Sequence, residues 1–268
     1  MNLMRAATHS YLQDAWIANP FDSDNARSHS SYSGFGNGEL VRLLETAPVS
    51  AFANTSHDAF RAFVLDPAFS CLGGRSALNR SDYRFGAYAA LDDANVTEGL
   101  ARDLHAFAAE RSGFRSNFTT FAAVFRGDRE LDEAGFERAL WSQLQRLHDL
   151  DSTHHAWDPR VASDPGSPDF SFSISGTAYF VIGMHPNASR RARRFAWPAL
   201  IFNAHEQFEH LRAAGTFDGL QQRIREREIA LDGSVNGNLK DYGTSSEARQ
   251  YSGRATGDEW LCPFQPRS

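Results

Sequence analysis

The run Gly183-Met-His-Pro-Asn-Ala-Ser-Arg-Arg-Ala-Arg-Arg194 puts His185 and four arginines, Arg190, Arg191, Arg193 and Arg194, within ten residues of one another. A histidine at the end of a strand can offer a ring nitrogen to a metal. Arginine pairs bidentately with carboxylate or phosphate. Together these types meet the needs of a b-type haem, which takes an axial ligand and partners for two propionates. The plainer alternative is a solvated basic turn, since charge runs usually face water. If the arginines lie on a strand, Arg191 and Arg193 share one face and Arg190 and Arg194 the other.

Two further constellations could carry chemistry. Ser70-Cys71-Leu-Gly-Gly-Arg75-Ser-Ala77 sets a thiol before two glycines and near an arginine. Glycines let a ligand approach the backbone and spare N–H groups for a metal-bound sulfur; a buried cysteine at a tight turn would look the same. In Ser245-Ser-Glu247-Ala-Arg249-Gln-Tyr251-Ser-Gly-Arg254, followed by Trp260-Leu-Cys-Pro-Phe264, Glu247 could pair with a guanidinium and Arg249 or Arg254 with a carboxylate. A surface tail folded back on Tyr251, Trp260 and Phe264 is the alternative. His205 could face either way, and no spacing fits a zincin, a P-loop, a dinucleotide fingerprint or a hydrolase elbow.

The elements that must position these residues follow from periodicity. Asn95–Arg111 reads as a helix with Leu100, Leu104, Phe107 and Ala108 on one face, and Asp132–Leu150 as another with Phe136, Leu140, Leu144 and Leu147. Arg84–Leu91 and Asn117–Phe125 read as strands. Phe170–Ser175 alternates strictly, Gly176-Thr177 turns, and Ala178–Met184 returns antiparallel. Phe195–Phe202 reads as a strand, Asn203 and Glu206 as a capping box, and Thr216–Leu231 as a helix. Upstream, Asp22–Gly38 reads as a loop, Glu39–Thr46 as a short helix and His57–Val64 as a helix ended by Pro67. The expectation is an α+β fold: a single domain over 51–268 with a mixed or antiparallel sheet and helices mainly on one side, behind a partly irregular N-terminal extension over 1–50. One sheet face would then be open to a ligand.

Composition narrows the function. A net charge of −6 argues against nucleic-acid binding, which needs a basic face. Two cysteines, Cys71 and Cys262, cannot staple a scaffold and suit a reducing cytosol. The first residues hold no apolar core of signal-peptide length, and no window approaches about 18 apolar residues. The expectation is a cytoplasmic protein with no membrane partner.

The stretches Cys71–Ala77, Gly183–Arg194, Asn203-Ala-His-Glu-Gln-Phe208, Glu247–Arg254 and Cys262-Pro-Phe264 together resemble the YqcI/YcgG family. That resemblance implies a haem-dependent monooxygenase that N-hydroxylates the guanidino group of free L-arginine or a related amino acid. It implies haem b, dioxygen and an external reductant or electron-donor protein. A homodimer is left open. Under it His185 is the leading iron ligand and Cys71 the rival. Arg75, Arg190, Arg191, Arg193, Arg194 and Tyr251 become cofactor-binding candidates, and Glu247 and Arg249 the substrate-binding pair. A haem carrier or sensor without oxygenase activity is the alternative.

Overall fold

A computed structural model describes residues 19–114, 118–127, 131–238 and 245–266, apart from the Ser112 side chain. Seven strands form one mixed sheet: β1 (Ser33–Gly36), β2 (Glu39–Arg42), β3 (Tyr83–Tyr88), β4 (Thr120–Phe125), β5 (Phe172–Ile174), β6 (Thr177–Met184) and β7 (Ala199–Ala204). Their spatial order is β2-β1-β3-β4-β7-β6-β5. β3 and β4 are parallel and every other pair is antiparallel. The α+β expectation holds.

The longest helices form where apolar periodicity and caps agree. α4 (Ala94–Glu110) starts at Asp93, whose carboxylate accepts from the N–H groups of Asn95 and Val96. α5 (Glu133–Asp151) starts at Asp132, which accepts from Gly135 N–H. Their stripes, Leu100, Leu104 and Phe107 on α4 and Phe136, Leu140 and Leu144 on α5, bury against Phe121, Phe202, Tyr179 and Val181 on one sheet face. The other face, bearing Phe85, Ala122, Val124 and Ile201, is covered by α2 (Ala51–Leu65) and α3 (Leu72–Arg80). Helices therefore flank both faces. On the second face Phe180 and Ile182 of β6 stay only half buried.

Several expectations shift. Residues 22–38 are not a loop: α1 (Asp24–His29) packs on α4, and β1 and β2 form an edge hairpin. Glu39–Thr46 is strand then turn, not helix. Asn37 and Gly38 both take positive φ, as a two-residue hairpin turn demands. The β5–β6 turn sits at Ser175-Gly176, one residue earlier than expected, because Ile174 pairs with Thr177. Residues 195–198 lie outside any strand. Asn203 stays in β7, so no capping box opens α6 (His205–Ala213). Glu206 instead pairs with Arg111 and Arg160.

Gly183 lets β6 approach α5. A Cβ there would lie 2.7 Å from Leu140 Cδ1 and Phe136 Cε1 and 2.8 Å from the Tyr251 carbonyl. Gly183→Ala is expected to cost about 1–3 kcal/mol through overpacking, read as a lower denaturant midpoint at unchanged slope.

Candidate functional site

A cavity of about 220 Å³, open along one side, lies on the second sheet face. Its floor is Phe180 and Ile182 of β6 with Asn203 of β7. One wall is the start of α3, with Cys71, Gly73 and Gly74. α6 contributes His205, Phe208 and Arg212, and Glu247 lies on the wall beside α8 (Ala248–Tyr251). α7 (Phe217–Asp232) covers the cavity with Phe217, Leu220 and Ile224. These recur at helical spacing, so one stripe of α7 faces the cavity. No residue of α7 is fully buried.

Cys71 caps α3. Its sulfur accepts from Gly74 N–H at 3.4 Å, and a Cβ on Gly74 would stand 3.6 Å from that sulfur. Burial pushes the thiol's pKa up, and the backbone N–H groups of Gly74 and Gly73 oppose the shift. The side chain is a neutral thiol until a cation meets it. An anionic sulfur would gain from the helix dipole and these N–H groups.

Glu247 is held by two hydroxyls. Ser171 donates to Oε1 at 2.7 Å, and the Tyr251 hydroxyl lies 2.6 Å from the same oxygen. Tyr251 is itself fixed, stacked on Trp141 at 5.4 Å and accepting from Phe172 N–H. Burial raises the Glu247 pKa to about 8, partly opposed by those hydroxyls and by the Arg212 charge. At neutral pH the carboxyl keeps its proton until a cation arrives.

On α6, His205 Nε2 lies 3.3 Å from Glu209 Oε1, and its buried Nδ1 has no hydrogen-bond partner among the described residues. Glu209 also pairs with Arg212, whose guanidinium sits over the Phe217 ring at 5.2 Å.

Of the candidate ligands singled out in the sequence, the fold brings Cys71, Glu247 and His205 to this cavity and sets Tyr251 behind Glu247. His185, Arg75, Arg190, Arg191, Arg193, Arg194 and Arg249 do not line it. His185 is 1% exposed and stacks on Phe136 of α5, centroids 4.4 Å apart. Burial lowers its pKa against the pull of Glu133 and Asp132. Arg191–Arg193 is a 3-10 turn, so strand alternation does not apply to the arginines. Arg190 bonds Ser234 and faces Glu228 and Asp232 on α7, at 3.5 and 3.4 Å. Arg191 donates from its backbone N–H to Asp232 and from its guanidinium to the Leu231 carbonyl. Arg194 bonds the carbonyls of Ala188 and Ser189. Arg75 reaches the Pro67 carbonyl at 3.3 Å. Arg249 is spent on the carbonyls of Gly257, Asp258 and Trp260.

Arg193 bonds the carbonyls of Gly183, Tyr251 and Gln250, tying β6 to α8. Desolvation lowers its pKa to about 10, opposed by Glu228. Arg193→Met is expected to lower stability by about 2–4 kcal/mol in a denaturant titration, because it strands three carbonyls.

A sequence model of the YqcI/YcgG family matches residues 60–265. The chain belongs to the YqcI/YcgG family. The match runs from within α2 to the tail beyond α8, and so takes in the whole cavity lining. Comparison with curated proteins and with solved structures finds no match. No helix among the described residues is long and apolar enough to cross a membrane. Among those residues no group of three or more His, Cys, Asp or Glu side chains could hold a bare metal ion.

The donor set of this YqcI/YcgG member fits a haem. A haem iron takes a single protein ligand on its proximal side. On the cavity wall Cys71 offers a sulfur with glycine N–H donors behind it. The floor and the α7 stripe that faces it are apolar. Sequence reasoning missed the α7 stripe, although Phe217, Leu220 and Ile224 carry helical spacing. It also missed Arg212 and left His205 undecided.

Proposed function

We propose that the chain is a haem-dependent monooxygenase that N-hydroxylates the guanidino group of free L-arginine or a related guanidino amino acid. The observation that carries the reading is the presence, on one apolar cavity, of a glycine-backed thiol, Cys71, and a half-buried carboxyl, Glu247. When bound, the haem would supply the redox chemistry that cleaves dioxygen and transfers one oxygen atom, with electrons from an external reductant. Cys71 would hold the iron, while Gly74 N–H damps the charge on the sulfur.

The rest of the work belongs to the chain. Glu247 loses its proton as a guanidinium arrives and pairs with it through charge-assisted hydrogen bonds. Ser171 and Tyr251 fix the carboxyl, so little entropy is lost on binding. The aromatic and aliphatic walls keep water from the reacting nitrogen, which limits uncoupled reduction of oxygen.

Optical spectra of the haem-supplemented protein test the cofactor. The reading expects a Soret band, and a ferrous–CO band with the red shift of thiolate ligation. A protein that shows no Soret band after supplementation sinks it.

A further inference from the structure

On the sheet face that α4 and α5 cover, three histidines surround one phenylalanine. His105 projects from α4, and His154 and His155 lie in the segment that follows α5. None of the three lines the cavity. Phe21, 5% exposed, meets all three rings, with centroids 5.9 Å from His105, 5.5 Å from His154 and 5.8 Å from His155. His105 and His155 are also neighbours, their centroids 5.3 Å apart and their rings tilted by 36°. Each of these two is held through Nδ1. His155 Nδ1 meets Asp151 Oδ1 at 2.8 Å, and His105 Nδ1 meets Ser175 Oγ at 3.1 Å. The two anchors form one knot, because Ser175 N–H donates to the same Asp151 oxygen at 2.9 Å. Asp151 is buried at the end of α5, and Ser175 sits in the β5–β6 turn.

A histidine whose Nδ1–H is taken by a carboxylate or hydroxyl presents a lone pair at Nε2, the arrangement found behind metal-bound imidazoles. Neither Nε2 has a hydrogen-bond partner among the described residues. Two imidazoles on one tetrahedral ion, at metal–nitrogen distances of about 2.0–2.1 Å, have centroids about 5 Å apart. The pair here has that spacing. Burial and the neighbouring His155 lower the His105 pKa to about 4, so at neutral pH no proton competes for its lone pair.

We infer that His105 and His155 form a second site, separate from the cavity, that takes one exchangeable transition-metal ion of the zinc or copper(II) type through two imidazole nitrogens. Imidazole suits these ions, whereas magnesium and calcium take oxygen. Two side chains leave the remaining positions to water, so the ion exchanges and is not a structural centre. Asp151 and Ser175 are positioning residues behind the ligands. A bound ion ties α4 to the segment after α5. The site stands whether or not the cavity takes a haem.

The test is calorimetric titration of zinc chloride into the full-length, tag-free, chelator-washed protein, with magnesium chloride as control. One zinc per chain should bind and magnesium should not. His105→Ala and His155→Ala should each weaken zinc by about 100-fold or more, and Asp151→Asn, which keeps both rings, by about 10- to 100-fold. His154→Ala should leave the affinity unchanged, since that ring is exposed and has no anchoring hydrogen bond. Zinc at a hundredfold excess over its Kd should raise the melting temperature of the wild-type protein by about 5–10 °C and leave that of His155→Ala in place. Circular dichroism checks that the variants are folded. A protein that binds no zinc, or zinc binding that survives both His105→Ala and His155→Ala, overturns the site. Weakening by His154→Ala equal to that by His155→Ala overturns the assignment of the two ligands.

Discussion

Cys71→Ala is expected to abolish haem binding, whereas His185→Ala leaves it in place. The Soret absorbance per protein, measured after haem supplementation and gel filtration, reads the difference. Cys71 stands on the cavity wall with Gly74 N–H at its sulfur. An iron-bound thiolate there would be met by the dipole of a nine-residue helix, α3. His185 stacks face to face on Phe136 and does not line the cavity. To reach a ligand, its ring would have to leave an aromatic contact inside the α5 core. His185→Ala should therefore cost stability, about 2–4 kcal/mol for a large buried ring, and not cofactor. Haem retained by Cys71→Ala and lost from His185→Ala would reverse the assignment.

Glu247→Gln is expected to weaken arginine binding by about 10- to 100-fold at pH 8 and to remove its pH dependence. The sign follows from the carboxyl's pKa, raised to about 8 by burial. Only the ionised form pairs with a guanidinium, which stays charged throughout the range. In the wild-type protein the dissociation constant should be flat above that value and rise about tenfold for each pH unit below it. The variant has no proton to lose, so its binding should be level from pH 6 to pH 9. Stability should move the other way. A carboxyl whose folded pKa lies above its unfolded value stabilises the fold at low pH, and that contribution is lost as pH rises from the unfolded value through about 8. Glu247→Gln should therefore melt roughly 10 °C above wild type at pH 9 and close to it at pH 5. A Kd that falls with falling pH, or a variant that binds as the wild type does, would contradict this use of Glu247.

What could be read in advance divides by how local its cause is. α4 and α5 were legible because their apolar stripes and their aspartate caps lie within the same run of chain. The β5–β6 hairpin was legible because strict alternation and a glycine turn are adjacent. The β1–β2 hairpin carried an Asn-Gly turn, but serine and glycine around it suggested a loop. The start of α6 was misread because Asn203 has a cap's chemistry, yet its amide donates to the Phe180 carbonyl across the sheet. The site was legible only as residue types. Its wall joins α3, β6, α6, α7 and α8, which meet only in the folded chain. The arginine cluster misled for the same reason. Arg190 and Arg191 have the look of anion ligands until α7 supplies Glu228 and Asp232 from about forty residues away. Glu247 could be named from sequence, but its raised pKa comes from burial.

Turnover decides whether the chain is an N-hydroxylase. Haem-loaded protein would be supplied with L-arginine, a reductant and isotopically labelled dioxygen, and the products read by mass spectrometry. The expected product is an N-hydroxyguanidino compound that carries one labelled oxygen atom and forms only when haem, reductant and oxygen are all present. Arginine and related guanidino amino acids left unchanged by the fully loaded protein, or a product oxygen derived from water, would contradict it.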